Sequence, residues 1–319
     1  MYPSGLNDTT VKWVCTSKEN GYGEVVRTKT RLRARDFKQH EGIDFFETFA
    51  PTPAASCFRL LGAVACELGL DLCHFDVGQA FVQSSLEESV CMRIPPGYGE
   101  VSVMVVLLNR CLYGLNSVEI VAQPPDDRNK EPWICVVPAD ACVTHLIESG
   151  TVSIVTVVHV DGIFAVGSKS RCDQFCEDLN RLVPVNNLSE LRWCAGCRFV
   201  GDLDAGTLTI SQRAFAESTG AKFGVCSGRI TPLPTGLKLE EFDSNEPESD
   251  WPFRELMGCL MWLANQTRPD IAYALRAIAR YANTPKEVHC GGLRLVFWSM
   301  FFLRVTLVLL VRVGADLSW

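Results

Sequence analysis

The sequence predicts a folded protein of mixed α and β structure. Hydrophobic residues make up 47% and charged residues 21% of its 319 residues. These proportions are near the average for globular proteins and disfavour disorder, collagen and a polytopic membrane protein. Segments rich in β-forming residues also alternate with segments of helical periodicity. The length suggests two domains, or one domain with an attached subdomain.

The predicted elements follow one another along the whole chain. A turn at 19–23 separates strands at 11–14 and 25–34, and an amphipathic helix at 57–70 ends near Gly69. A short strand carries His74-Phe75-Asp76-Val77. Apolar residues from 154 to 166 surround His159-Val160-Asp161-Gly162, which predicts a β-hairpin with an Asp-Gly turn or a close variant of it. Further helices are predicted at 170–182, 212–223, 251–265 and 269–282. The Pro-rich, acidic stretch 231–252 is predicted to be a linker or surface loop that contains a subdomain boundary.

Charge and cysteine content narrow the class of protein. A formal net charge of −7 argues against a uniformly basic surface but allows a local basic patch. Fifteen cysteines are fewer than a disulfide scaffold carries, and the N-terminus lacks the pattern of a signal peptide. We therefore expect reduced cysteines in the core of an intracellular, cytoplasmic or nuclear protein that is not secreted. Cys194-Ala195-Gly196-Cys197 has no second pair at zinc-finger spacing, which favours core packing over a zinc site.

A run of cations on the second predicted strand is the first candidate binding feature. Side chains alternate between the two faces of a strand, so cations at every second position share one face. One interpretation is a solvated edge strand that discourages aggregation; the other is a surface that neutralises phosphates. Five cations on one face of an acidic protein favour phosphate binding. They are Arg27, Lys29, Arg31, Arg33 and Arg35.

Asp76 and Asp161 form the second feature, because each lies among β-forming apolar residues. A buried, unpaired carboxylate costs several kcal/mol, so a metal ion or a cation should compensate it. The alternative for Asp161, which precedes Gly162, is a simple turn residue.

The order of several sequence blocks resembles that of the copia-type retrotransposon reverse transcriptases. Any one block would be weak evidence, but seven in the family's order and at about its spacing are specific, and the resemblance runs from about residue 12 to residue 289. The blocks are 29–37, 41–51, Phe75-Asp76-Val77-Gly78-Gln79-Ala80-Phe81, 95–98, Cys111-Leu112-Tyr113-Gly114-Leu115, Val158-His159-Val160-Asp161 and 267–274.

The resemblance implies an α+β right-hand polymerase fold with a mostly antiparallel palm sheet. Fingers would occupy 1–75, the palm 76–230, and a linker with thumb- or connection-like helices and an apolar tail 231–319. It also implies two-metal nucleotidyl transfer with Mg²⁺, an RNA template, a DNA primer and deoxynucleoside triphosphates as partners. Asp76 and Asp161 would be the catalytic, metal-binding aspartates. Lys29 and Arg31, with Arg35 of the same cationic run, would bind the triphosphate.

The chain departs from the family pattern where the chemistry is most demanding. His159 stands in place of a Tyr, and Gly162 in place of the second Asp of a catalytic pair. The segment 116–132 carries two adjacent prolines where a nucleotide-facing turn and helix are expected. These departures imply an impaired or inactive polymerase.

Two alternatives to the polymerase are left open by the sequence. The first is a non-catalytic remnant that binds nucleic acid through the cationic strand. The second is a membrane-associated protein built around the apolar stretches 295–303 and 305–311, for which a buried helix and strand are favoured because Arg304 separates them.

Overall fold

The computed structural model describes residues 8–19, 25–43, 45, 51–83, 86, 89–95, 97, 104–115, 135–202, 205–224, 230–240, 242–243 and 245–302. The strands are β1 Asp8–Thr9, β2 Val11–Glu19, β3 Val25–Ala34, β4 Asp71–Val77, β5 Cys91–Arg93, β6 Val105–Leu107, β7 Cys135–Val137, β8 Asp140–Glu148, β9 Thr151–His159, β10 Gly162–Gly167, β11 Val185–Glu190, β12 Trp193–Cys194, β13 Cys197–Asp202 and β14 Thr207–Ser211. The helices are α1 Ala55–Leu68, α2 Ala80–Gln83, α3 Lys169–Asn180, α4 Arg213–Phe223, α5 Phe253–Gln266, α6 Ala272–Ala279 and α7 Glu287–Phe302.

The chain forms two compact units, and each is built from two separate stretches. The first unit comprises Met1–Ala54 and Cys73–Ser189, and the second comprises Ala55–Leu72 and Glu190–Trp319. The predicted division at 1–75, 76–230 and 231–319 stays a prediction. Residues 231–252 lie within the second unit, together with the residues on both sides of them.

A six-stranded sheet organises the first unit, in the order β11-β4-β10-β9-β8-β7. One face of β4 is buried through Cys73, Phe75 and Val77, because strand side chains alternate and helix α3 packs on that side. The rings of Phe75 and Phe175, the latter from α3, lie 6.1 Å apart at their centroids. Helix α3 thus covers one face of the sheet, and the other side chains of β4 point to the opposite face.

Two smaller sheets complete the first unit. Strands β2 and β3 form an antiparallel ribbon, and β1, β5 and β6 form a three-stranded sheet in which β1 and β5 run parallel. A separate small core of Val11, Ala34, Val90, Met92 and Leu115 joins the base of the ribbon to the second of these sheets.

The second unit combines a small sheet with helices. Its main core lies among α5, α6 and α7, where Leu256, Leu260 and Ile278 are fully buried. Strands β12, β13 and β14 form an antiparallel sheet, and α1 approaches it at Gly62, where a Cβ atom would lie 2.3 Å from Leu208 Cδ2. The loop before α5 packs on the helical core through Leu239.

Most predicted elements are present, with shifted ends. The mixed α and β class with mainly antiparallel sheets is confirmed. The predicted hairpin is present as a close variant: His159 pairs with Gly162, so the two turn residues are Val160 and Asp161 instead of Asp161 and Gly162. The helix predicted at 269–282 begins as a 3₁₀ turn, Pro269–Ile271, and its α-helical part ends at Ala279.

Several sequence predictions fall wholly or partly outside the described residues. They are the turn at 19–23, most of the block 41–51, part of the block 95–98, the segment 116–132 and the apolar stretch 305–311. The stretch 295–303 belongs to α7 as far as residue 302, and Val296, Phe297 and Met300 are buried there. In the part of the chain that the structure describes, none of the helices is both long and apolar enough to span a bilayer.

Candidate active site

Asp76 lies near the end of β4 on the face that α3 leaves uncovered. His74 and Asp76 alternate with the buried Phe75 and Val77, and both are half-buried. The polar pair therefore shares one face of the strand because of the two-residue period of the side chains. This face belongs to a central strand, since β4 lies between β11 and β10.

Backbone pairing brings Asp161 to the end of β4. The Val77 amide donates a hydrogen bond to the Asp161 carbonyl, with 2.8 Å between nitrogen and oxygen. Asp161 is exposed and occupies the second position of the tight turn between β9 and β10, where Val160 has a φ of 57°. A β-branched residue in that region is strained, so the surrounding strands must hold this turn in shape. Asp76 and Asp161 thus lie at adjacent strand ends.

The His74 imidazole stacks on an aromatic ring, and the charges of both aspartates affect its pKa. Its ring stacks on Phe164 of β10, with 4.6 Å between the ring centroids. Partial burial lowers the pKa of His74, while the negative charges of Asp76 and Asp161 oppose that shift. The two aspartates consequently act on the same imidazole.

Gly162 faces the stacked rings of His74 and Phe164. A Cβ atom at this position would lie 3.2 Å from Phe164 Cζ and 3.5 Å from His74 Nε2. The space that a side chain at 162 would enter is therefore bordered by these two rings. A carboxylate placed here would approach the imidazole closely.

The cationic residues lie on β3, as predicted, with one difference. Arg27, Lys29, Arg31 and Arg33 belong to the strand, whereas Arg35 lies just after its end. The side chains of Lys29, Arg33 and Arg35 are exposed and that of Arg31 is half-buried. The side chain of Arg27 lies outside the described residues.

The neighbouring strand extends this cationic surface. In the antiparallel register, Lys12 of β2 is opposite Arg33, Val14 is opposite Arg31 and Thr16 is opposite Lys29. Directly opposed residues share a face of a ribbon, so Lys12 adds a further cation beside Arg33. We call Lys12, Lys29, Arg31 and Arg33 the cationic face.

Aromatic contacts connect the cationic face to the segment after Asp76. The Arg31 guanidinium lies 5.7 Å from the centroid of the Tyr113 ring, and that ring lies 5.2 Å from the ring of Phe81. Phe81 is in α2, five residues after Asp76. Three of the recognised sequence blocks therefore meet in space within the first unit.

The residues near β4 that could hold a magnesium ion are Asp76 and Asp161. Mg²⁺ prefers oxygen ligands and is commonly held by one or two carboxylates together with waters and substrate phosphates. Asp76 and Asp161 can supply such a pair. Among the described residues, no group of three or more His, Cys, Asp or Glu side chains is placed to hold a metal ion.

His74 and Tyr113 are site residues that the sequence analysis did not single out. For His74, the signal available was its position two residues before Asp76, which places it on the same strand face. Nothing in the local sequence around Tyr113 indicates its contact with Arg31, because the two residues are separated by 82 positions.

Comparisons with known proteins agree with the sequence blocks. The family described as reverse transcriptase (RNA-dependent DNA polymerase) matches residues 1–235. The chain is 28% identical over 322 aligned positions to the retrovirus-related Pol polyprotein from transposon TNT 1-94 of Nicotiana tabacum, covering 95% of this chain and 24% of that protein. It is 27% identical over 298 positions to the Pol polyprotein from transposon RE1 of Arabidopsis thaliana, covering 92% of this chain and 20% of that protein.

A third relative is also a retrotransposon Pol polyprotein, with a similar level of sequence identity. The Pol polyprotein from transposon RE2 of Arabidopsis thaliana is 26% identical over 305 positions, covering 92% of this chain and 20% of that protein. The chain thus spans about a quarter or less of the length of these relatives. No solved structure matches it.

Proposed function

Because this chain belongs to the reverse transcriptase (RNA-dependent DNA polymerase) family, and its relatives are copia-type retrotransposon Pol polyproteins, we propose that it is an RNA-directed DNA polymerase domain with an impaired catalytic centre. The observation that carries this proposal is the hydrogen bond from the Val77 amide to the Asp161 carbonyl. It places two aspartates, 85 positions apart in sequence, at adjacent strand ends. A protein that only binds nucleic acid has no need of such a pair.

The proposed layout is that of a right-hand polymerase. Residues 1–75 would form the fingers, 76–230 the palm, and 231–319 the thumb or connection. Two features support it: the six-stranded sheet carries both aspartates, and the cationic face belongs to a ribbon that precedes this sheet in the chain.

In the proposed reaction the primer 3′-hydroxyl oxygen attacks the α-phosphorus of a deoxynucleoside triphosphate, and pyrophosphate leaves. Asp76 and Asp161 would hold Mg²⁺, which when bound lowers the pKa of the attacking hydroxyl and offsets charge on the phosphates. Lys29, Arg31 and Arg35 would bind the triphosphate through charge-assisted hydrogen bonds. These side chains position the reactants, and positioning with electrostatic stabilisation supplies most of the catalysis in phosphoryl transfer.

Gly162 is the reason to expect impairment. Without a carboxylate at 162, Asp76 and Asp161 can hold one metal ion but leave a second one short of a ligand. A simple reversion also meets an obstacle, because the side chain of an aspartate at 162 would enter the space beside His74 and Phe164. We therefore expect Gly162→Asp alone to leave DNA synthesis well below that of an active relative.

Magnesium-dependent primer extension on an RNA template tests the proposal. The set comprises the wild type, Gly162→Asp, Gly162→Asp with a family-like 116–132 segment, and that repaired protein with Asp76→Asn. We expect little or no extension by the wild type, the most extension by the repaired protein, and its loss on Asp76→Asn. Robust synthesis by the wild type would overturn the impairment, and synthesis that survives Asp76→Asn would overturn the assigned role of Asp76.

The exposed cationic face favours a second candidate function, a non-catalytic remnant that binds nucleic acid. Lys12, Lys29 and Arg33 are exposed on one side of the β2–β3 ribbon, and phosphate binding by cations needs no complete metal site. Replacing Lys29 and Arg33 by Gln should weaken binding to an RNA–DNA duplex and reduce its salt dependence. Lys169→Gln is the matched control, because Lys169 is an exposed cation on α3 that pairs with Asp173. Equal binding by both variants would remove this candidate.

A further inference from the structure

The hairpin between β12 and β13 carries two cysteines in directly opposed positions. Cys194 pairs with Cys197 across a two-residue turn. Ala195 and Gly196 have φ values of 44° and 72°, so both turn residues are left-handed, as a type I′ turn requires. The turn type and the register together fix the two cysteines opposite each other.

The geometry of a cross-strand pair suits a disulfide bond. Opposed residues of an antiparallel pair have Cα atoms about 4.5–5.5 Å apart, and disulfides span Cα separations of about 4.4–6.8 Å. Their Cβ atoms start about 4.5–5.5 Å apart and must close to about 3.5–4.5 Å. The bond would therefore carry some strain, and strained disulfides are the readily reduced ones.

The surroundings of the pair disfavour a metal site. Both thiols are buried, at 3% exposure each. Burial raises the pKa of Cys194 to about 12 and that of Cys197 to about 11, so both thiols are protonated at neutral pH. No third His, Cys, Asp or Glu of the described residues joins the two thiols in a potential metal cluster. Two opposed thiols without other metal ligands can instead be joined as a disulfide when an oxidant takes up their two electrons and two protons.

The tip of the hairpin is the exposed part of the structure next to the pair. Gly196 and Trp193 are exposed, and the positive charge of Arg59 on α1 acts to lower the pKa of Cys197. On its other side the tip packs against Trp262 of α5, whose ring atom Cζ2 would lie 3.4 Å from a Cβ at 196. The pair is thus buried beneath a hairpin tip that is exposed on one side and covered by α5 on the other.

We propose that Cys194 and Cys197 are an oxidation site. Hydrogen peroxide oxidises the two thiols to a reversible disulfide that joins them. The Cys197 thiol loses its proton, its thiolate attacks one peroxide oxygen, and the O–O bond breaks. The hydroxide that leaves takes up that proton, so Cys197 sulfenic acid and water result. The Cys194 sulfur then attacks the Cys197 sulfur, the S–O bond breaks, and the second water leaves with the Cys194 proton. Two thiols are oxidised and one peroxide is reduced to two waters. Cys197 reacts first because Arg59 favours its thiolate.

Trypsin isolates the pair on one short peptide. Cleavage after Arg192 and Arg198 releases Trp193-Cys194-Ala195-Gly196-Cys197-Arg198, which contains both cysteines and no other. Folded full-length protein is treated with peroxide, and free thiols are then alkylated with iodoacetamide in denaturant. The protein is digested with trypsin, and the peptide masses are measured by mass spectrometry. We expect this peptide unalkylated and lighter by two hydrogens, and doubly alkylated after treatment with dithiothreitol.

The same digest contains a matched control. Cleavage after Arg171 and Arg181 releases a peptide with the buried cysteines Cys172 and Cys176 of α3. Residues four apart on a helix have Cβ atoms about 5–6 Å apart, farther than in a cross-strand pair, and a disulfide between them would distort the helix. We expect no internal disulfide in this peptide. An equal yield of the disulfide in both peptides would overturn the positional argument.

Single variants test the order of the steps. In Cys194→Ser, Cys197 sulfenic acid has no partner and should be trapped by dimedone, whereas Cys197→Ser should give several-fold less dimedone adduct at Cys194. The wild-type oxidation rate should rise about tenfold per pH unit between pH 7 and 9, because the reacting thiolate has a raised pKa. Complete alkylation of the wild-type peptide after peroxide at pH 9 would overturn the proposal, and a stronger adduct at Cys194 would overturn the order.

Discussion

At the scale of single residues, the candidate site contains side chains from neighbouring strands that affect one another electrostatically. The clearest case is His74, because the charges of Asp76 and Asp161 both raise the pKa of its imidazole. The two aspartates are on separate elements, and a backbone hydrogen bond links the end of β4 to the β9–β10 turn. Convergence can therefore be measured without any polymerase activity.

Replacing either aspartate by asparagine should lower the pKa of His74 further below its ordinary value of 6.5. The negative charges favour the imidazolium, so removing one leaves burial less opposed. Titration of the His74 ring protons by NMR measures the shift. Asp202→Asn is the control, because Asp202 is not among the charges that act on His74. An unchanged His74 pKa in both site variants would contradict the predicted convergence.

The lowered pKa also fixes the sign of a pH effect on stability. Since the folded-state pKa of His74 is below the unfolded value of 6.5, this residue's contribution is fully present above pH 6.5. It is lost as the pH falls from 6.5 through the folded pKa. His74→Gln should reduce the drop in stability over this acidic range, as measured by urea unfolding.

Gly114 allows the 111–115 sequence block to pack closely against the end of β3. Its φ is +86°, and a Cβ atom would lie 2.5 Å from the Ala34 carbonyl oxygen. The Ala34 amide also donates to the Tyr113 carbonyl, with a nitrogen–oxygen distance of 2.7 Å. Only glycine permits this approach, because the obstructing atom belongs to the backbone.

Gly114→Ala should therefore destabilise the protein by about 2–4 kcal/mol, through the left-handed backbone and the steric clash together. Gly150→Ala is matched for backbone conformation, since its φ is +79°, but nothing lies within 4 Å of its Cβ position. It should cost only about 1 kcal/mol. Urea unfolding of both variants measures the difference. Equal losses would mean that the contact with Ala34 is not tight.

At the scale of elements, the 267–274 block joins two helices of the second unit. Arg268 is 4% exposed, and its Nη1 donates to the Met300 carbonyl of α7 at 2.8 Å. Its Nε and Nη2 donate to the two oxygens of Asp270 at 2.8 and 2.7 Å. The Thr267 hydroxyl donates to Gln212, just before α4, at 2.8 Å. In this structure the block joins α7 to the turn that begins α6.

The two partners of this ion pair should respond differently to removal. Asp270→Ala leaves the Arg268 guanidinium buried without a carboxylate and should cost about 3–5 kcal/mol. Arg268→Met leaves Asp270, whose side chain is 38% exposed, free to be hydrated and should cost less. Urea unfolding midpoints of both variants test this order. The reverse order would show that the guanidinium is hydrated after all.

At the scale of the whole molecule, each unit is completed by a distant part of the chain. Helix α1 belongs to the second unit although most of that unit begins at Glu190. Arg59 of α1 donates to the Asn265 carbonyl at the end of α5, with a nitrogen–oxygen distance of 2.9 Å. We therefore expect α1 to contribute to the stability of the second unit.

Leu61→Ala should destabilise the protein by about 2–5 kcal/mol, because Leu61 is a buried residue of α1 and its truncation leaves a cavity. Leu60→Ala is the matched control on the same helix, since Leu60 is 64% exposed, and it should change stability by no more than about 0.5 kcal/mol. Chemical unfolding of the two variants provides the comparison. A small effect of Leu61→Ala would mean that α1 is not part of the cooperative core.

The sequence by itself determined the family, the mixed α and β class and most of the longer elements. Ordered motifs, period-two cations and helical periodicity are local signals, and they located β3, α3 and α5 to within about two residues. Short strands such as β5, β6 and β12 were not predicted, because two or three residues carry too little periodicity to distinguish a strand from a loop.

Only the tertiary structure decided which residues meet. The contacts of His74 with Phe164 and of Arg31 with Tyr113 join residues far apart in the chain, and no local pattern encodes them. Strand pairing also decided the position of the β9–β10 turn. Because Gly162 pairs with His159, the turn residues are Val160 and Asp161, whereas the sequence pattern had indicated Asp161 and Gly162. The local sequence determines the secondary-structure propensity of a segment and the strand or helix face on which each side chain lies. Strand register and packing determine which residues of other segments these side chains contact.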